Sequence, residues 1–149
     1  MIEHNDMKGK NGIRRIINAC GYSADGFQAA FKNEAAFRQL LLLNVISLPI
    51  IAFCPFSMLM KMILLFATMQ TLVVELFNTA IEAIVDRVST DIHPLSKIAK
   101  DAGSAAQTMA LLILGVMWVM AWVNYFQAAW KIILFLLYLY DNQTYLEII

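Results

Sequence analysis

The sequence predicts an all-α membrane protein: three transmembrane helices preceded by amphipathic helices that lie on the membrane surface. Three observations predict it. Of the 149 residues, 60% are hydrophobic and 15% are charged, against roughly 25% charged in an ordinary soluble domain. Three long apolar runs recur along the chain, each compatible with crossing about 30 Å of hydrocarbon once its flanks are counted. The charged residues gather at the ends of those runs, where a membrane meets water.

The elements follow in order. Residues 1–12 (MIEHNDMKGKNG) form a polar start that is expected to be disordered. Ile13, Ile16, Ile17 and Cys20 recur at helical spacing, with Arg14, Arg15 and Asn18 on other faces. This predicts a short amphipathic helix suited to a membrane surface and stopped at Gly21. Ser23 then reads as the N-cap of a second surface helix, with Asp25 in its first turn and Phe27, Ala30, Phe31 and Leu41 on one side. The surface helices together cover 13–34. Glu34 falls among those apolar positions. It is either a wet carboxylate paired with Lys32 or Arg38, or a group that meets a cation or metal.

The first span is read as 35–53, with Arg38 snorkelling to the interface. Cys54-Pro55-Phe56-Ser57 reads as a tight turn. The second span covers about 58–78, with Lys61 snorkelling at its outer end, and it runs on without a breaker into a polar stripe. Ser89 to Ser96 reads as a loop broken by Pro94, with Ser96 capping the next helix. The third span covers about 102–126, small-sided at its start (Gly103, Ser104, Ala105, Ala106) and marked at its far interface by Trp118, Trp122 and Tyr125. The tail 127–149 is apolar and aromatic but only half a span long, and is read as an interfacial helix.

Charge bounds both topology and function. Six of the eleven basic residues (Lys8, Lys10, Arg14, Arg15, Lys32, Arg38) precede the first run, and Arg87, Lys97 and Lys100 flank the central loop. The positive-inside rule therefore puts the amino terminus and that loop in the cytoplasm, and the tail outside. The formal net charge is zero, which argues against a nucleic-acid partner. Cys20 and Cys54 have no metal-ligand spacing and read as free thiols on opposite sides of the bilayer.

The chemistry concentrates between the second and third runs. Glu75, Asn78, Glu82 and Asp86 are 3, 4 and 4 residues apart, which puts them on one narrow helical stripe. Carboxylates on adjacent turns, with another from a second helix, suit a hard divalent cation. Magnesium in particular takes a few carboxylates and completes its shell with water and substrate phosphates. Lys100 is a natural phosphate partner beside such a site, and Arg15 is another, or a holder of lipid phosphate. Lys97, Lys100, Asp101 and Ser104 share a helix face, which fits a basic patch on the membrane surface as well as a phosphate site. Glu75 lies nearest the membrane and is placed to deprotonate a lipid hydroxyl. Cation, cationic clamp and a carboxylate at the acceptor are the parts phosphoryl transfer needs. GxxxxGK[ST], GxGxxG, the soluble-kinase HRD and DFG sets and HExxH are all absent. His93, alone in the loop, reads as a loop residue.

NEAAFRQ (33–39) and ELFNTAIEAIVDRVSTDIHPLSKIAKDAGSAA (75–106), with RRIINACGYS near the start, closely resemble the prokaryotic integral-membrane diacylglycerol kinases, over roughly 13–126. The resemblance implies a homotrimeric bundle of three-span subunits in the bacterial inner membrane, with active sites shared between neighbours. It implies transfer of the γ-phosphate of ATP, with Mg2+, to diacylglycerol, giving phosphatidic acid in phospholipid recycling. By position, Glu75 matches the catalytic base and Asn78 its polar partner. Glu34 and Glu82 match the metal ligands, which also contact the nucleotide. Arg15, Tyr22, Asp91, Ile92, His93, Lys100 and Asp101 match the nucleotide surroundings. Arg15, Ala36, Phe37, Arg38, Gln39, Leu40, Glu75 and Ser104 match the lipid-substrate side. The residues after 126 depart from the family pattern.

Two other readings frame this one. An undecaprenol kinase of the same fold would need the same metal and nucleotide residues. A non-catalytic membrane assembly protein would instead carry its polar residues near the middle of spans.

Overall fold

A computed structural model describes residues 12–88 and 93–146, with side-chain surroundings as far as residue 140. The described residues are all helical apart from short connections. They form α1 (Gly12–Asn33), α2 (Ala35–Phe53), α3 (Met58–Val88) and α4 (Pro94–Leu146). Helix α3 is central: α4 and α2 both pack on it, and α1 rests against α2 and α3. Three helices are long and apolar enough to cross a membrane: α2, α3 and α4 as far as Tyr140. The protein is a multi-pass membrane protein.

Helix α1 corrects the reading of two surface helices. It runs unbroken through Gly21 and Ser23, and none of the glycines among the described residues takes a positive φ. The reason lies in the longer pattern. Ile13, Ile16, Ile17, Cys20, Ala24, Phe27 and Phe31 each have another of the set three or four residues away, so a single apolar stripe crosses Gly21. A mid-helix glycine costs only about 1 kcal/mol, less than re-aiming half of that stripe. The polar start before residue 12 lies outside the described residues.

The break between α1 and α2 is a single residue. Glu34 has φ −106° and ψ 116° and makes no side-chain cap. The backbone ladder nearly closes around it: the Glu34 N–H donates to the Ala30 carbonyl at 2.9 Å, and the Arg38 N–H to the Glu34 carbonyl at 3.4 Å. Arg38 does the capping instead, its guanidinium donating to the Phe31 and Lys32 carbonyls at 3.0 and 3.2 Å. Helix α2 fills 35–53 as read from sequence and tolerates Pro49 inside it, as membrane helices do.

The turn 54–57 joins α2 to α3. Ser57 Oγ accepts from the Met60 N–H at 3.3 Å, and the Lys61 ammonium donates to the Ala52 carbonyl at 2.8 Å. Helix α3 runs on through the polar stripe to Val88, as read, whereas α4 differs from its expected bounds at both ends. The start of α4 lies at Pro94, not at a Ser96 cap. Proline is well suited to a first helical position, and His93 Nδ1 accepts from the Leu95 N–H at 3.2 Å. No break separates the third span from the tail either: α4 is one helix of 53 residues, about 80 Å at 1.5 Å per residue. Nothing between Asn124 and Lys131 is a proline or glycine, so no residue there interrupts the ladder.

Two clusters hold the bundle. Ala30, Phe37, Leu40 and Leu72 join α1, α2 and α3. At the other end Ile51, Phe56, Leu64 and Ala121 join α2, the turn, α3 and α4. Between them lies a buried polar layer: Asn44 Nδ2 donates to the Leu40 carbonyl at 2.9 Å and to Thr71 Oγ1 at 3.3 Å. Outward faces are apolar, as lipid-facing helices require.

Candidate active site

The site is built on the continuation of α3 beyond its apolar run. Helical spacing alone puts Glu75, Asn78, Glu82 and Asp86 on one stripe. The same face buries Leu64, Ala67, Thr68, Thr71 and Leu72 further along. Glu75 therefore ends a buried face and is itself 2% exposed. Glu34, at the α1–α2 break, and Glu82, two turns on, both act electrostatically on Glu75, so three acidic groups from two elements share one neighbourhood. Such a group is costly without a compensating cation.

Asn78 ties the stripe together. Its amide donates to Glu82 Oε1 at 3.1 Å, which orients that carboxylate. Its own Oδ1 is buried without a partner and faces Gly103 of α4, where any β-carbon would collide with it. The two helices approach closely here because position 103 is glycine. Further towards the helix ends the Lys100 ammonium lies 2.6 Å from Asp86 Oδ1. Lys100 precedes the apolar stretch that opens at Ala102. Its hydrogen bond to Asp86 holds the ammonium above the usual lysine range, with the Asp86 and Glu82 charges adding to this. Lys97 pairs with Asp101 within α4.

The structure thus brings Glu75, Asn78, Glu82 and Lys100 into one region, with Glu34 within electrostatic reach. Glu34 makes no ion pair with Lys32 or Arg38 among the described residues, and Arg38 is spent on α1 carbonyls. Among the described residues no three His, Cys, Asp or Glu side chains gather closely enough to hold a metal alone. Two carboxylates completed by substrate phosphates remain compatible with a magnesium site, and the acidic groups around Glu75 fit such a cation.

The other candidates divide. Arg15, Tyr22, Asp101 and Ser104 are exposed. His93 is exposed and caps α4. Asp91 and Ile92 lie outside the described residues. Within the lipid-side segment, Phe37 and Leu40 are buried at 1% and 6%. They pack in the α1–α2–α3 cluster and do not face lipid in this chain, because helical geometry turns them towards Leu72. Ala36, Arg38 and Gln39 face outward. Sequence reasoning missed the Asp86–Lys100 pair, whose partners are fourteen residues apart on different helices.

A buried carboxylate at the end of an apolar helix, an oriented second carboxylate and a cation on the facing helix are parts that a membrane-embedded phosphotransferase needs. Comparison with known proteins makes the class specific. The family model described as prokaryotic diacylglycerol kinase matches residues 21–122. The diacylglycerol kinase of Pseudomonas aeruginosa is 53% identical over 111 residues, covering 74% of this chain and 90% of that protein. That of Escherichia coli K12 is 38% identical over 115 residues, covering 76% and 94%. That of Helicobacter pylori 26695 is 36% identical over 117 residues, covering 78% and 88%. The chain belongs to the prokaryotic diacylglycerol kinase family.

Proposed function

We propose that the protein is an ATP-dependent lipid kinase that phosphorylates diacylglycerol to phosphatidic acid. The observation that carries the mechanism is Glu75, buried at the end of the apolar face of α3 and followed on the same stripe by Glu82. A base at that depth meets the hydroxyl of a lipid whose acyl chains remain in the bilayer. Glu75 takes the proton of that hydroxyl as the hydroxyl oxygen attacks the γ-phosphorus of ATP, the bond from that phosphorus to the β,γ-bridging oxygen breaks, and ADP leaves. General-base help of this kind is worth about 10²–10⁴ in rate.

Asn78 holds Glu82 in orientation. Glu34 and Glu82 would hold Mg2+, which when bound neutralises charge on the nucleotide phosphates. Lys100 clamps the transferring phosphoryl group, and Arg15, Tyr22, His93 and Asp101, with Asp91 and Ile92, surround the nucleotide. Arg15, Arg38, Gln39 and Ser104 border the lipid. The functional unit is a homotrimer in the bacterial inner membrane with its site on the cytoplasmic side. The domain is 13–126, and the tail 127–149 is outside the chemistry.

Transfer of labelled γ-phosphate from MgATP in mixed micelles tests this, with diacylglycerol and undecaprenol side by side. The expected result is preferential labelling of diacylglycerol that is lost in Glu75→Gln and Glu82→Gln. Preferential labelling of undecaprenol would overturn the substrate, and labelling of neither lipid by folded protein would overturn the kinase reading.

A further inference from the structure

The structure holds one ion pair between transmembrane helices among its described residues. Lys100 of α4 and Asp86 of α3 are 2.6 Å apart, with side chains 38% and 65% exposed. Its neighbour in kind, Lys97–Asp101, lies within one helix at i,i+4 with both side chains more than half exposed. An i,i+4 surface pair of that sort is commonly energetically slight. The Lys100–Asp86 pair differs in two ways. It fixes the start of α4 against α3, and its acidic partner sits one turn beyond Glu82 on the stripe that already orients Glu82 through Asn78.

We propose that Asp86 is a positioning residue for nucleotide binding. It acts through Lys100 and aims that ammonium at the phosphates of a nucleoside triphosphate held beside Glu82. The chemistry allows both contacts at once. A lysine ammonium has three N–H donors and no acceptor, so one bond to Asp86 leaves two for phosphate oxygens. Without Asp86, a flexible four-carbon side chain on an exposed helix start samples many directions, and Glu82 alone draws it towards the metal ligand. The inference rests on the kinase reading above for the identity of the bound phosphate.

The test compares Asp86→Asn and Asp86→Glu in the full-length enzyme. KM for MgATP is expected to rise about three- to fivefold in Asp86→Asn, the scale of one partly exposed charge pair. KM for diacylglycerol should change little, kcat should fall by no more than the MgATP affinity does because Lys100 also holds the transferring phosphoryl group, and Asp86→Glu should restore both values. In a Lys100→Gln background, titration with a fluorescent ATP analogue should show no further loss on adding Asp86→Asn. That titration reads nucleotide affinity even if no lipid is phosphorylated, so failure of the kinase reading and failure of this proposal are told apart. Asp86→Ser serves if the asparagine variant does not insert. An unchanged nucleotide affinity would overturn the proposal by reducing the pair to a surface contact. A tighter nucleotide affinity would also overturn it, since Asp86 would then compete with phosphate for Lys100. Additive losses in the double variant would overturn the route through Lys100.

Discussion

The two ends of the α3–α4 pair are built on different principles. At one end Phe56 from the turn is packed by Trp118, Trp122 and Tyr125 of α4, with edge-to-face ring geometry and centroids 5.3 to 6.3 Å apart. Ile51, Leu64 and Ala121 close around it. This end buries apolar surface and leaves little to chemistry. At the other end the helices meet through Asn78 and Gly103, Asp86 and Lys100, with a buried carboxylate and an unpartnered amide oxygen. Unpaired buried polar groups are destabilising. The aromatic end supplies the stability that lets the polar end keep them.

That division can be broken from either side. The largest effect is expected from Glu75→Gln, which should lower phosphoryl transfer about 10³-fold, within the general-base range, while leaving the thermal midpoint in detergent unchanged or higher. A fall in both together would mean that Glu75 holds the fold rather than the chemistry. Phe56→Ala should do the reverse. Loss of about 3–5 kcal/mol in stability is expected for a buried phenyl ring, read by thermal unfolding, with the turnover of the protein that remains folded close to normal.

Gly103→Ala is intermediate and sharpens the contrast. The new methyl group collides with Asn78 Oδ1, the end of a side chain that can rotate but whose amide holds Glu82. Stability should fall by only about 1–3 kcal/mol, while KM for MgATP rises more than that loss accounts for. If activity tracks folded fraction alone, Asn78 does not orient Glu82. The smallest effect is expected from Lys97→Ala, whose exposed pair with Asp101 should contribute less than about 0.5 kcal/mol in a thermal melt.

Much of this was legible in the sequence, and the limits have physical causes. The ends of α2 follow from where the apolar run meets Glu34 and the Cys54–Ser57 turn. The carboxylate stripe follows from helical period alone. The α1 reading failed because Gly21 and Ser23 are local stop and start signals, and a coherent seven-position stripe outweighs them. The end of α4 was misplaced because Trp118, Trp122 and Tyr125 mark an interface without interrupting a backbone. The Asp86–Lys100 pair and the inward turn of Phe37 and Leu40 depend on how helices pack across the bundle. Periodicity within one segment carries no such information.

The unequal lengths of the three spanning helices have a further consequence. Helix α2, with 19 residues, measures about 28 Å, close to the hydrocarbon thickness. Helices α3 and α4, with 31 and 53 residues, both exceed it, so neither can gauge the bilayer. The short helix is the ruler. Bounded by Glu34 and Arg38 at one end and by the Cys54–Ser57 turn at the other, it fixes the vertical register of the whole bundle. The altitude of Glu75 relative to the lipid headgroups is thus set by a neighbouring helix that does not carry it.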